Sequence, residues 1–160
     1  VYKRQIRGFA SGELRVGDQP IGFSNGQGQF AMRQDGHDGE LEEYRVAYTF
    51  GTAPLQQYLT DMGGGRLRAL PVVWDAREGG QGWYHLQPHP AGQPNDVLHW
   101  TGSGQNWNHM CDDGHSTSVT KGFDAAMDTY ATVSTRDYGS SPWRIPKISR
   151  CKHRSRRIAM

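Results

Sequence analysis

Two alternating stretches around a turn are the feature that most constrains the fold of this chain. Residues 29–33 alternate apolar and polar side chains, and residues 41–50 place Tyr44, Val46 and Tyr48 on one face. The Asp- and Gly-rich residues 35–39 lie between them. Because successive side chains of a strand point to opposite faces, this pattern predicts a β-hairpin with one buried face.

Further segments predict a mixture of strands and short helices. Residues 67–74 and 82–86 are expected to form strands, whereas residues 53–62 carry apolar side chains at helical spacing behind Pro54. Residues 106–115 are expected to be helical or irregular, and residues 124–130 to form a helical turn or two. With 21 glycines and 35% hydrophobic residues, the chain is typical of a loop-rich domain. The expected class is α+β and β-rich, with hairpins or a small antiparallel sheet and short helices around residues 106–115.

Charge divides the chain into an acidic body and a basic end. Residues 136–160 hold eight Lys/Arg and one Asp, which leaves ten Lys/Arg against fifteen Asp/Glu in residues 1–135. We therefore expect an irregular segment over 1–20, a domain over 21–135 and a disordered basic tail over 136–160. We expect this tail to be solvated, with no nucleic-acid partner. No apolar run is long enough to predict a membrane span, and we expect a fragment without its targeting segment.

The segment from Cys111 to His115 is a candidate for cofactor chemistry. A c-type haem site has the pattern C-x-x-C-H, in which two thiols form thioethers with the haem and the histidine ligates the iron. Here Cys111 holds the first position and His115 the last, but Gly114 stands in place of the second cysteine. The spacing C-x-x-x-H occurs often by chance and carries little weight alone.

The surrounding segments add a family resemblance. They are YTFG at 48–51, PLQQYL at 54–59, GRLRALP at 65–71, WDAR at 74–77, WYHL at 83–86, LHWT at 98–101, QNWNHMC at 105–111 and HST at 115–117. Their order and spacing, over roughly residues 20–132, resemble those of multihaem cytochromes c, which are often fused to tetratricopeptide repeats.

The resemblance implies a haem c attached to Cys111, with His115 as the proximal ligand of the iron and His99 or His85 as the distal ligand. Gly114 departs from the family pattern and puts the second thioether, and haem binding itself, in question. The implied function is electron transfer in a periplasmic or otherwise extracytoplasmic multihaem protein, with a redox partner protein that the sequence does not identify. Such a protein is a carrier of electrons rather than an enzyme, and tetratricopeptide repeats are expected in the full-length protein.

Three alternatives remain open at this stage. Cys111, His115 and either His99 or His109 have the ligand atoms of a zinc site, although their spacing fits no common zinc finger. A haem-free, β-rich binding domain with a decayed site is the second alternative, and Gly114 favours it. An enzyme is the third, but the chain has no nucleophile elbow, phosphate loop or zinc-protease motif.

Overall fold

The fold is built almost entirely from antiparallel strands. The computed structural model describes residues 8–9, 12–17, 19–26, 29–51, 53–86, 93–111, 119–131 and 133–134. Strands make up about 50% of the structure and helical segments only 7%. Helical residues in the described part form one 3-10 turn, Ser103–Gln105, and one four-residue turn, α1, Trp107–Met110. The predicted α+β class is therefore wrong, because the segments expected to be helices are mostly strands and turns.

The first sheet confirms the predicted hairpin only in part, because the hairpin's second strand ends at Arg45 and residues 48–50 of the predicted strand over 41–50 pair in another sheet. Its strands are β1 (Gly12–Val16), β2 (Gln19–Gly26), β3 (Gln29–Asp35) and β4 (Leu41–Arg45), which pair in that order. β3 and β4 flank the predicted turn, and Met32 lies opposite Tyr44. The expectation of an irregular segment over 1–20 does not hold for β1 or for the start of β2.

The second sheet contains the segment that we expected to be a helix. Its strands are β5 (Tyr48–Phe50), β6 (Leu55–Asp61), β7 (Leu67–Ala69), β8 (Val72–Asp75) and β9 (Gly82–His85). The order is β5-β6-β8-β9, and β7 also pairs with β6. The predicted helix over 53–62 is wrong. The single strand predicted over 67–74 is divided at Leu70 and Pro71 into β7 and β8, whereas β9 lies within 82–86 as predicted.

Two short antiparallel strand pairs follow α1, one nested within the other. β10 (Val119–Thr120) pairs with β13 (Val133–Ser134), and β11 (Phe123–Asp124) pairs with β12 (Thr129–Tyr130). The predicted helical turn over 124–130 is wrong. The Asp124 carboxylate accepts hydrogen bonds from the amides of Ala126 (2.9 Å) and Met127 (3.3 Å), and this turn chemistry competes with a helix.

Two apolar clusters lie on opposite faces of the second sheet. The first cluster takes side chains from both large sheets and is rich in aromatic rings, with Trp83 stacked on Phe23 at 4.2 Å. It comprises Phe9, Ile21, Phe23, Met32, Tyr44, Tyr58, Leu70 and Val72. The second cluster comprises Phe50, Leu59, Leu67 and Trp107, and Cys111 packs against it. The two clusters lie on opposite faces because Tyr58, in the first cluster, and Leu59, in the second, are neighbours in β6 and point in opposite directions.

Within the described residues, no helix is long and apolar enough to cross a membrane. The basic tail over 136–160 lies outside the described residues, so it stays a prediction, as do the domain limits.

Candidate functional site

Cys111 lies at the end of α1, beside the second cluster. The helix begins at Asn106, whose side chain accepts a hydrogen bond from the Asn108 amide at 3.2 Å, as an N-cap does. It ends at Cys111, whose amide donates to the Trp107 carbonyl at 3.1 Å. Cys111 is half-buried and packs against the second cluster. The thiol therefore sits at the border between an apolar surface and solvent.

Asn108 fixes the position of α1 on the second sheet. Its side chain is fully buried, accepts a hydrogen bond from the Leu67 amide at 2.8 Å and donates one to the Gly65 carbonyl at 3.2 Å. One side chain thus connects the helix to β7 and to the turn before it. A buried amide that satisfies both of its ends in this way holds α1, and with it Cys111, in place.

The rest of the candidate motif lies outside the described residues. His115 and Gly114 belong to residues 112–118, for which no placement is described. The predicted pairing of Cys111 with His115 at one haem therefore stays a prediction.

His99 is a buried residue whose two ring nitrogens both have partners. Its Nε2 lies 2.8 Å from the Asp35 carboxylate and its Nδ1 lies 2.7 Å from the Thr101 hydroxyl. The consistent arrangement has Nε2–H donating to the carboxylate and Nδ1 accepting from the hydroxyl. A histidine ligates iron through the lone pair of one ring nitrogen. In this arrangement His99 has neither nitrogen available for a haem.

The surroundings of His99 form a closed structural unit. The Trp100 indole donates to the Asp35 carbonyl at 2.9 Å, and the Trp100 ring packs edge-on against Tyr44 at 4.6 Å. Burial, and then the hydrogen bond from the Tyr44 hydroxyl to Glu42 (2.8 Å), raise the pKa of Tyr44 above its ordinary value. These contacts attach the segment that carries His99 to the end of β3.

His85 lies on the other face of the second sheet from Cys111. It ends β9 and lies opposite Val72, a member of the first cluster. Since directly opposed side chains of an antiparallel pair share a face, His85 is on the side of the first cluster. Cys111 packs against the second cluster, so the structure does not bring the predicted attachment point and this predicted distal ligand together.

The alternative metal site does not assemble in the described part of the chain. No group of three His, Cys, Asp or Glu side chains there could hold a metal ion. The ring of His109, one of the candidate zinc ligands, packs on Tyr130 at a centroid distance of 5.4 Å. Asp75 binds Arg77 through two hydrogen bonds of 3.0 Å and one of 2.5 Å, and this guanidinium holds the pKa of Asp75 below its usual range.

Two buried polar side chains were missed by the sequence reasoning. Arg68 is only 6% exposed, its Nε has no hydrogen-bond partner, and no ion pair among the described residues includes it. Burial, and then the nearby Arg66, lower the pKa of Arg68. Gln34 is fully buried, and neither end of its amide has a partner. Nothing in the local sequence around either residue signals burial, because tertiary packing alone produces it.

An open cleft of about 370 Å³ lies between β4 and β6. Its lining includes Glu43, Arg45, Thr60 and Asp61, and it contains none of the predicted site residues. The cleft is therefore separate from the candidate site at Cys111.

Comparisons with known proteins leave the likeness to multihaem cytochromes c as a prediction from the sequence segments alone. No protein-family model, no curated protein and no solved structure matches this chain.

Proposed function

We propose that this protein is an electron carrier that binds one haem covalently through Cys111, with His115 as the proximal ligand. The observation that supports the proposal most is the position of the thiol. Cys111 is half-buried at the end of a helix fixed by Asn108, at the edge of an apolar cluster, and His115 follows four residues later. A haem bound there would supply reversible one-electron exchange.

The residues present fit one thioether rather than two. Cys111 offers a partly accessible thiol, whereas Gly114 offers none at the second position. Side chains of the second cluster, with Trp107 closest in sequence, exclude water from one side of the thiol. His99 does not fit the role of distal ligand because both of its nitrogens are engaged. His85 lies on the opposite face of the sheet, so neither candidate supports the distal assignment.

The proposed setting follows from the same resemblance. Cytochromes c receive their haem outside the cytoplasm, so we propose a periplasmic or otherwise extracytoplasmic location. The proposed partner is a redox protein, and tetratricopeptide repeats would belong to a longer version of the chain. We propose no enzymatic activity and no nucleic-acid partner.

A haem-free, β-rich binding domain is the second candidate. Two observations favour it: Gly114 removes a thioether, and His99 is fully satisfied within the protein. In this case the domain no longer binds haem, and its function is to bind other molecules. The zinc alternative has no such support among the described residues.

A haem stain on a denaturing gel separates the two candidates. The chain is co-expressed with a cytochrome c maturation system and exported, beside the variants Cys111→Ala and Gly114→Cys. We expect a stained band for the wild-type chain, none for Cys111→Ala, and an equal or stronger band for Gly114→Cys, which restores the second thiol.

An unstained wild-type chain that is soluble and folded would contradict the proposal. If Gly114→Cys then takes up the stain, the site has decayed through that single position and the second candidate is supported. If no variant stains, the resemblance itself does not describe this chain.

A further inference from the structure

The outer edge of β4 is a row of main-chain groups that have no backbone partner among the described residues. β4 is the last strand of its sheet and pairs only with β3. The Val46 amide donates to the carbonyl of Phe30, which faces it in the same register, at 2.8 Å. Since hydrogen-bonded pairs alternate along an antiparallel ladder, the amides and carbonyls of Glu43 and Arg45 point away from β3.

Space for another strand lies beside this edge. The open cleft of about 370 Å³ runs along Glu43, Tyr44 and Arg45, and its lining continues to Thr60 and Asp61 in the other sheet. The side chains of Glu43 and Arg45 are exposed, and no ion pair within the described part of the chain includes either of them. The edge therefore presents unpaired backbone groups and two unpaired charges to an incoming strand.

The two charges make this edge complementary to itself. Charged edge strands usually keep other strands away, but here the charges match in one arrangement. Antiparallel pairing of two copies of β4, centred on Tyr44, places Glu43 of each copy directly opposite Arg45 of the other. Opposite charges in directly opposed positions stabilise a strand pair, whereas like charges destabilise it. A shift of two residues, or parallel pairing in register, brings like charges together.

We propose that the edge of β4 is an interaction surface that binds a second copy of this chain, by antiparallel pairing about Tyr44. Glu43 of each copy exchanges both backbone hydrogen bonds with Arg45 of the other, because these groups point outward in both copies. The same patch thus serves on both copies, as a two-fold symmetric contact requires. The two four-stranded sheets join into one continuous sheet. The contact requires no haem.

The opposite edge of the same sheet provides a contrast. β1 carries the same alternation, with Glu13 and Arg15 two residues apart. These two side chains pair with each other, at 2.9 Å between Oε1 and Nε. Because each charge already has a partner, pairing with a second copy would gain less electrostatic energy. The β1 edge therefore serves as the control for the β4 edge.

The test is the oligomeric state of the full chain, measured by sedimentation velocity up to about 1 mM protein, where a weak contact is populated. Low ionic strength is used because salt screens exposed charges. We expect the wild type to shift from monomer to dimer as its concentration rises. Glu43→Arg and Arg45→Glu should each weaken the dimer by about tenfold or more, since like charges then meet on both sides of the axis. Glu13→Arg should dimerise as the wild type does.

Mixing the two β4 variants tests the register itself. Glu43→Arg gives a basic edge and Arg45→Glu an acidic one, so the equimolar mixture should form a heterodimer although neither variant dimerises alone. The double variant Glu43→Arg/Arg45→Glu should dimerise like the wild type. A mixture of Glu13→Arg with Arg45→Glu is the control for general charge attraction and should not recover the dimer.

Three results would overturn the proposal. The first is a wild-type chain that stays monomeric over the whole concentration range. The second is a dimer that neither Glu43→Arg nor Arg45→Glu weakens, or that Glu13→Arg weakens as much, because the contact then lies elsewhere. The third is a mixture of the two β4 variants that does not recover the dimer. Recovery in that mixture also shows that both variants are folded.

Discussion

The regions around His99 and around Cys111 each carry a residue that the sequence resemblance assigns to haem, but their surroundings differ: one is a buried polar network and the other is the edge of an apolar cluster. His99 is 4% exposed and bonds Asp35 on one side and Thr101 on the other. Cys111 is half-buried at the edge of the second cluster, and Met110, its neighbour in sequence, is 69% exposed. Both ring nitrogens of His99 are satisfied within the protein, whereas Cys111 lies at the border between an apolar cluster and solvent.

The difference shows that a histidine within a family-like segment can have a purely structural role. A buried imidazole with a carboxylate on one nitrogen and a hydroxyl on the other is already part of a folded network. Such an imidazole stabilises the folded state by satisfying the hydrogen-bonding groups of both partners. The half-buried thiol lies at the edge of an apolar cluster rather than inside a buried polar network, so mutations in the two regions should have different consequences.

His99→Ala should produce the largest change in stability. It removes the partner of the Asp35 carboxylate and leaves a cavity beside Trp100, which together should cost about 2–4 kcal/mol. Urea unfolding of the apo chain measures this loss. His37→Ala is the control, because His37 is exposed in the turn between β3 and β4, and it should change stability by less than about 0.5 kcal/mol. Equal losses of unfolding free energy in His99→Ala and His37→Ala would mean that the buried network around His99 adds no stability.

Tyr44→Phe should change how the His99 region responds to alkaline pH. The pKa of Tyr44 is raised in the folded chain by burial and by its hydrogen bond to Glu42. Its contribution to stability is therefore complete below the ordinary tyrosine pKa of about 10 and is lost as the pH rises towards the higher folded value. The wild type should lose more stability than Tyr44→Phe between pH 9 and 11, measured as urea midpoints.

The alkaline comparison also has a control. Tyr84 is 37% exposed, and Tyr84→Phe should lose stability over the same pH interval as the wild type does. If Tyr44→Phe lost as much stability between pH 9 and 11 as the wild type does, Tyr44 would not be the source of the alkaline loss.

Cys111→Ala should have the smallest effect on the apo chain. The thiol lies at the edge of the second cluster rather than within it, so its removal should cost about 1 kcal/mol or less. Thermal unfolding of the apo proteins measures this. A loss as large as that of His99→Ala would mean that Cys111 is a core residue, and the contrast between the regions would disappear.

The sequence predicted the parts of the fold in which one face of a strand is exposed. β3 and β4 alternate because Met32 and Tyr44 point into the first cluster while Arg33 and Glu43 face solvent. In β6 both faces are buried, with Tyr58 and Leu59 each 0% exposed on opposite sides. Alternation is lost in such a strand, and apolar residues then fall by chance at helical spacing.

Only those features of the candidate site that depend on residues close together in the sequence could be predicted. Cys111 and the short helix before it follow from neighbouring residues, and the segment indeed begins with α1. The partner of His99 is Asp35, 64 positions away, and no pattern within either segment reveals that contact. The orphaned Nε of buried Arg68 likewise depends on how β7 packs in the finished fold.

The intact mass of the exported chain, measured under denaturing conditions, tests the central claim most directly. The account predicts that the wild-type chain carries the mass of one haem, and that Cys111→Ala has the mass of the polypeptide alone. A folded wild-type chain without added mass, produced beside a Gly114→Cys variant that carries haem, would contradict it.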